Sequence, residues 1–215
     1  MKISYNWLKE YVDVKIPPEK LAELLTMSAL SVESLQKTAD DYIFEIEVTS
    51  NRPDCLSVIG VAREVAAITG KKLKIPSLTK KRTPVPGPRT PVKIKVEDKK
   101  LCPRYTGRII EDVKVGESPE WLKKRLEAIG LKAVNNIVDI TNFCLFETGE
   151  PMHAFDLDKI AGAGVVIRRA RKGEKIVTID GVERALDESV LVIADKTKPI
   201  AIAGIMGGLN TEVTN

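Results

Sequence analysis

The first 75 residues contain three stretches in which apolar side chains recur at helical spacing. One follows Pro18, which suits the first turn of a helix. Another runs up to Gly70, a residue suited to ending a helix. A shorter one follows Ser4, whose hydroxyl can cap its first turn. The apolar positions are Trp7, Leu8 and Tyr11; Leu21, Leu24, Leu25 and Ala29; and Val58, Val61, Val65 and Ile68.

Hydrophobic and polar positions alternate between the helix that follows Pro18 and the helix that ends at Gly70, as in a half-exposed strand. The turn at 51–54 leads from this strand into the helix that ends at Gly70, for which Asp54 is the predicted cap. Three helices and one strand predict a small winged-helix-like domain over residues 1–75. The alternating apolar positions are Tyr42, Phe44, Ile46 and Val48.

Proline dominates the next segment, with five prolines among the sixteen residues 76–91. Proline lacks a backbone donor and disfavours helix in the residue before it. We therefore expect an extended linker here, separating the first domain from a second domain at 92–215.

The second domain changes from helical to strand-like spacing along its length. A strand is predicted at 92–96. A helix follows, capped by Ser118, begun by Pro119 and closed by Gly130. Beyond Pro151 the pattern favours strands, with Asp180-Gly181 as a hairpin turn. The predicted class is α+β, with the second domain a mixed α/β domain built on a large sheet. Its apolar helix positions are Leu122, Leu126 and Ile129; its predicted later strands are Val165–Ile167, Lys175–Ile179, Ser189–Ala194 and Pro199–Ala203.

The composition, 43% hydrophobic and 30% charged, is typical of a soluble globular protein. No apolar run approaches the roughly 18 residues that suggest a membrane span. The N-terminus lacks the apolar core of a secretory signal. Three widely spaced cysteines, Cys55, Cys102 and Cys144, favour buried reduced thiols over a disulfide framework. A reducing cytoplasm is the expected location.

Positive charge is concentrated at 71–104, where twelve Lys or Arg face only two acidic residues. Such a block is either a solvated face or a contact for a polyanion. Lys80, Lys81 and Arg82 are the RNA-contact candidates within it. Arg52 is a fourth candidate, because its guanidinium can bind a phosphate or a carboxylate through two parallel hydrogen bonds.

His153 is the single histidine of the chain. It could carry a proton, donate a hydrogen bond to a ligand, or be a satisfied interior group. No Cys or carboxylate stands near it at ligand spacing, so no metal site is predicted. Gly-x-Ser-x-Gly is missing, which leaves a covalent hydrolase without support.

A glycine cluster at Gly204, Gly207 and Gly208 follows the last predicted strand. Glycine lets backbone approach a ligand closely, although a tight turn after a strand explains the same residues. No Gly-Lys-Ser/Thr follows, so the cluster is not a phosphate-binding loop.

Taken together, these stretches resemble the β subunit of bacterial-type phenylalanyl-tRNA synthetase. The opening MKISYNWL and the stretch LTMSALSVE at 25–33 are similar to its first domain, as is FEIEVTSNRPD at 44–54. VDITN at 138–142 and EPMHAFD at 150–156 resemble the core of its central B3/B4 domain. IAGIMGG at 202–208 resembles the glycine turn near that domain's end.

The resemblance implies a function. The family joins phenylalanine to its tRNA as an α₂β₂ assembly, using ATP and magnesium at the α subunit. No cofactor is expected in this chain. The β central domain hydrolyses tyrosine wrongly attached to tRNA(Phe), a second selection step needed where binding discriminates too weakly. Thr141, Asn142 and His153 would line this editing pocket, with Gly207 in the adjacent backbone turn. The expected partners are tRNA(Phe) and the α subunit, with neither membrane nor DNA involved.

Three departures from the family pattern bear on activity. Only Gln36–Asp41 stands where the family inserts an oligonucleotide-binding barrel. Leu209 follows the double glycine where an acidic residue is common. The sequence stops at Asn215, before the family's tyrosine-recognising glutamate, so we expect the editing domain to be truncated.

These departures predict no aminoacylation, and weak or absent editing, by this chain. The alternative is a non-catalytic RNA-binding or protein-interaction module derived from the subunit. Few aromatic residues, 5%, argue against a base-stacking single-strand binder. For the editing hypothesis, the loop with His153 must fold against the glycine turn.

Overall fold

The computed structural model describes residues 1–76 and 92–214, which pack as two compact units. The first unit contains residues 1–76 and 116–152, and the second contains residues 92–115 and 153–214. Helices and sheets are combined in this structure as the predicted α+β class requires, and that prediction is confirmed.

A three-stranded antiparallel sheet underlies the first unit, in the order β1-β3-β2. The central strand buries Phe44, which lies opposite Ile3 of β1. The polar turn at 38–41 joins β2 to β3. The strands are β1 (Lys2–Ser4), β2 (Val32–Lys37) and β3 (Tyr42–Ile46).

Three helices accompany this sheet and confirm the predicted winged-helix-like arrangement. The Ser4 hydroxyl caps α1 by accepting from the Trp7 amide at 3.0 Å. Pro18 opens α2, and Gly70 ends α3 in the left-handed region at φ 65°. The helices are α1 (Tyr5–Tyr11), α2 (Pro18–Ser28) and α3 (Val58–Thr69).

Two predicted helix caps are wrong. Asp54 does not cap α3; Ser57 does, by accepting from the Gly60 amide at 3.0 Å. Asp54 lies in a 3₁₀ turn, where its carboxylate binds Arg52 instead. Ser118 does not cap the following helix either, because its hydroxyl donates to Asp139.

Two further helices, α4 (Glu120–Ala128) and α5 (Asn136–Thr148), belong to the first unit. The apolar face of α4 is buried in the same core as Trp7 and Leu21. The packing units therefore differ from the sequence division, which assigns this segment to the second domain. The reason is physical: the α4 face finds its apolar partners in the N-terminal core. That face consists of Leu122, Leu126 and Ile129.

A five-stranded sheet forms the centre of the second unit, in the order β10-β9-β8-β5-β4. Strands β4 and β5 are parallel, and the other neighbours are antiparallel. The predicted hairpin at Asp180-Gly181 is present between β6 and β7, with Gly181 at φ 77°. The strands are β4 (Lys93–Val96), β5 (Gly164–Arg169), β6 (Lys175–Val177), β7 (Glu183–Ala185), β8 (Leu191–Ala194), β9 (Pro199–Ile202) and β10 (Met206–Gly207).

The segment 77–91, which holds most of the predicted linker, lies outside the described residues. So do three RNA-contact candidates, Lys80, Lys81 and Arg82. Within the parts that are described, no helix has the length and apolar character that crossing a membrane requires.

Candidate functional site

His153 lies in an irregular segment of the second unit, ahead of the 3₁₀ turn Leu157–Lys159. The imidazole meets the ring of Phe155 edge to face, with centroids 4.6 Å apart. The segment is anchored just beyond, where the Asp156 amide donates to the Thr211 carbonyl at 3.0 Å. Local packing and a long-range hydrogen bond thus both restrict where the His153 ring can lie.

The backbone of Gly207 lies directly against this ring. A Cβ atom at Gly207 would stand 2.4 Å from both Cε1 and Nε2 of His153, closer than any real side chain allows. Gly207 is itself held in place, since it pairs with Ala201 and accepts from the Ile179 amide at 3.1 Å. The expected contact between the His153 loop and the glycine turn is present.

The turn that carries Gly207 has little freedom. Gly204 takes a left-handed conformation, φ 72°, between β9 and β10. The Gly208 amide donates to the Ile200 carbonyl at 2.8 Å, and a Cβ at Gly208 would lie 2.8 Å from that same oxygen. Each of the three glycines therefore has a different structural reason to be glycine.

The surroundings of His153 disfavour its charged form. Solvent reaches the exposed side chain, yet neighbouring protein atoms partly desolvate the ring. This partial desolvation lowers the pKa of His153 below its usual value. The imidazole is therefore neutral at pH 7, with one nitrogen able to donate and the other to accept.

Exposed apolar side chains flank the His153–Gly207 contact. Ile205 and Leu209 stand two residues to either side of Gly207, and Ile179 is hydrogen-bonded to it through the backbone. Their exposed fractions are 75%, 45% and 45% for Ile205, Leu209 and Ile179. A neutral hydrogen-bonding ring beside apolar surface can orient a ligand that has both a polar and an apolar part.

Thr141 and Asn142, the other predicted pocket residues, lie on α5 in the first unit. The Thr141 hydroxyl donates to the Val138 carbonyl at 2.7 Å, one helical turn back. Both side chains are half-buried. Within the second unit, the structure brings together His153 and Gly207.

Arg52, an RNA-contact candidate, makes two parallel hydrogen bonds to Asp54, at 3.0 and 2.9 Å. It also bonds Glu64 at 2.7 Å. The guanidinium holds the pKa of Asp54 at about 2. The fork-shaped geometry that favoured an external anion is thus engaged by carboxylates of the same unit.

Asp54, Cys55 and Glu64 form the described group whose donor atoms lie within 4.8 Å of one another, as metal ligands do. Arg52 already binds this group, because it bonds both carboxylates and contacts the Cys55 sulfur at 3.1 Å. Burial is the main reason that the pKa of the Cys55 thiol is raised to about 11. The cluster is an ion-pair network around a protonated thiol; all three cysteines of the chain are free.

Two residues of the recognised motifs have positions that spacing does not reveal. Phe155 packs against the ring of His153, and the only sequence signal for this contact is that the aromatic residue stands two positions after the histidine. Asp139, the acid of VDITN, is fully buried and accepts from Ser118 and from the Val134 amide. Its function is to join the segment before α5 to the helix itself.

Comparison with known proteins agrees with this architecture. Residues 101–215 match the B3/4 domain family. The phenylalanine–tRNA ligase β subunit of Carboxydothermus hydrogenoformans is 54% identical over 192 residues, or 88% of this chain and 24% of the relative. That of Rhodopirellula baltica is 43% identical over 216 residues, or 100% of this chain and 31% of the relative.

A solved structure, an N-terminal fragment of the phenylalanyl-tRNA synthetase β subunit from Pyrococcus horikoshii, superposes with a TM-score of 0.52. The superposition covers 100% of this chain and 64% of that fragment, at 16% sequence identity. A match at this identity supports the fold alone. Fold and domain match together define a B3/4-domain protein. The chain belongs to the phenylalanine–tRNA ligase β-subunit family, and it spans only 24% and 31% of the two relatives above.

The Rhodopirellula alignment also bears on the short connection Gln36–Asp41. It extends over 216 positions for a chain of 215, which leaves no room for an inserted domain in the aligned part of that relative. In the structure this connection is a closed turn, with the Thr38 amide donating to the Asp41 carbonyl at 2.9 Å. The short connection is therefore shared with a relative and well formed.

Proposed function

We propose that this chain is the editing and tRNA-binding part of a phenylalanine–tRNA ligase β subunit, acting on tyrosine wrongly attached to tRNA(Phe). The observation that carries the proposal is the His153 ring held against the Gly207 backbone. The lowered pKa of His153, which favours the neutral ring, supports it. Family membership supplies the substrate class. In the complete cytoplasmic enzyme, ATP and magnesium would serve aminoacylation at the α subunit, outside this chain.

The reaction would be hydrolysis of the ester between the tyrosyl carboxyl group and the terminal ribose. Water supplies the hydroxyl to the acyl carbon and a proton to the ribose oxygen. A neutral imidazole orients the attacking water or the terminal adenosine through hydrogen bonds. A covalent route is not proposed, because the sequence lacks the Gly-x-Ser-x-Gly motif of a covalent hydrolase. Burial also raises the pKa of the Cys55 and Cys144 thiols, which disfavours the nucleophilic thiolate.

The test compares tyrosyl-tRNA(Phe) and phenylalanyl-tRNA(Phe) as substrates for the chain and for His153→Ala and His153→Gln. We expect slow, tyrosine-selective release, abolished by alanine and partly kept by glutamine, which retains a hydrogen-bonding side chain. Equal release by the parent and by His153→Ala would contradict a role in hydrolysis.

A second measurement covers the case in which turnover is too slow to detect. The single histidine has a unique imidazole NMR signal, which should move when uncharged tRNA(Phe) is added. An RNA that lacks the terminal adenosine is the matched control and should move it less. Binding of RNA without any effect on the imidazole would favour the alternative, a non-catalytic RNA-binding module.

A further inference from the structure

A second feature of the second unit lies along the edge strand β4. A cleft of about 240 Å³ opens beside β4 and β5. Lys93 and Lys95 contribute to it from β4, and Lys196 contributes from the turn after β8. Its remaining lining includes Val166 and the backbone around Gly162. Three lysine side chains thus contribute to a small depression whose walls are mostly apolar.

The positive charge of this cleft is largely uncompensated. None of the described lining residues carries a carboxylate. Lys95 pairs with Glu97 at 2.7 Å, but both side chains are well exposed, so this ion pair is weak. Neither Lys93 nor Lys196 forms an ion pair with a carboxylate of the described residues.

The walls of the cleft are preorganised. The buried Asp195 carboxylate accepts from the amides of Ala161, Thr197 and Lys198 at 3.1, 2.7 and 2.8 Å. It therefore ties the loop before β5 to the turn that carries Lys196. On the other side, a Cβ at Gly164 would stand 3.0 Å from the Lys93 carbonyl oxygen, so glycine permits the close approach of β4.

We propose that this lysine cleft (Lys93, Lys95 and Lys196) binds the phosphodiester backbone of double-helical RNA. The inference rests on the proposed function only in taking RNA as the ligand. Flexible lysines act as point charges toward phosphate, whereas paired recognition of a carboxylate favours arginine. The described lining contains no aromatic ring, so the contact reads charge rather than stacked bases. An acidic peptide is the competing occupant, and the test separates the two.

The experiment measures the affinity of the chain for two RNA duplexes of unrelated sequence across a range of salt concentrations. The variant is Lys93→Gln/Lys196→Gln. The matched control is Lys124→Gln/Lys172→Gln, which removes the same charge from exposed positions outside the cleft. Poly-glutamate serves as a competitor, and deacylation of tyrosyl-tRNA(Phe) is followed in parallel.

We expect the cleft variant to bind both duplexes more weakly, by roughly eightfold per lysine at 0.1 M salt, with the salt slope smaller by about one per lysine. The control should match the parent. Duplex affinity and slope that are unchanged in the cleft variant, no duplex binding by the parent, or complete displacement of RNA by an equal charge of poly-glutamate would each overturn the proposal. Absence of deacylation by the parent chain, with duplex binding that the cleft variant weakens as expected, would count against the proposed function alone.

Discussion

The absence of a side chain at Gly207 determines where the His153 imidazole can lie. Gly207 has no left-handed φ to explain its identity, so the close approach of the ring is the physical reason for glycine. Gly204, three residues earlier, differs: it has a φ of 72° and open space around its Cα. This pair allows the steric contribution of a glycine to be separated from its conformational one.

We predict that Gly207→Ala raises the pKa of His153 toward its usual value, because the new methyl group pushes the ring out toward solvent. Overpacking of this kind costs about 1 to 3 kcal/mol. Gly204→Ala should cost a comparable roughly 1 to 2 kcal/mol through left-handed strain, yet leave the His153 pKa as it is. NMR titration of the single imidazole and urea denaturation measure both quantities.

The lowered pKa of His153 also makes the stability of the fold depend on pH. Since the folded-state pKa of His153 lies below the unfolded value of about 6.5, the folded protein resists protonation. The contribution of His153 to the free energy of unfolding is constant above the unfolded pKa and is lost as pH falls toward the folded pKa. This loss should shrink in Gly207→Ala and persist in Gly204→Ala; an identical pH profile for both would contradict the steric argument.

Helix α5 illustrates how a buried carboxylate can join a loop to a helix. Asp139 lies in the first turn of α5, where negative charge is favourable, and it is fully buried. Its two oxygens satisfy the Ser118 hydroxyl and the Val134 amide. The acid of the VDITN motif is therefore structural, while Thr141 and Asn142 remain the predicted pocket residues.

We predict that Asp139→Ala destabilises the chain by about 2 to 4 kcal/mol, because it leaves buried donors without acceptors. Asp187→Ala is the matched control. Asp187 also accepts from one amide and one hydroxyl, both of Ser189, but it is exposed, so water replaces its hydrogen bonds. Urea denaturation of both variants checks this, and equal losses would show that burial of Asp139 is not the cause.

Helices and strands in which apolar residues recur with a clear period were predictable from the sequence, and those without such a period were not. The alternation in β3 and the apolar face of α3 identify both elements. Strand β1 has only three residues, and β2 leaves no residue fully buried, so neither presents a periodic pattern. Helix α5 is mostly half-buried around its circumference, which weakens its amphipathic signal.

The candidate site was predictable only in part. A lone histidine is equally consistent with an interior group, so spacing alone did not decide the role of His153; the family resemblance singled it out. The approach of Gly207 to His153 joins residues more than fifty positions apart, and periodicity carries no information on such contacts. The lysine cleft likewise needed the pairing of β4 with β5.

In the chain taken together, sequence order and packing diverge. The B3/4 family match begins at residue 101, whereas residues 116–152 pack with the first unit. Side chains of α4 share a core with residues from the N-terminus. The family domain and the N-terminal portion therefore share part of one hydrophobic core.

We predict that residues 92–215 do not fold alone as they do in the full chain. Leu122, Leu126 and Ile129 are 1%, 0% and 6% exposed, and a fragment without residues 1–76 would return them to water. At about 1.5 to 3 kcal/mol for each buried side chain, this loss is comparable to the roughly 5 to 15 kcal/mol that stabilise a whole domain. Circular dichroism should show reduced helix, and a hydrophobic dye should bind.

Replacing the same three residues with glutamine tests whether the dye binds the exposed apolar face of α4 or an unfolded chain in general. In the fragment, Leu122→Gln/Leu126→Gln/Ile129→Gln should abolish much of the dye binding, because the apolar face itself is the dye site. In the full chain the same replacement should strongly destabilise the fold, since these positions are buried there. A fragment with native helix content and no dye binding would show that the α4 face finds another partner, and that folding follows the family boundary rather than the packing units.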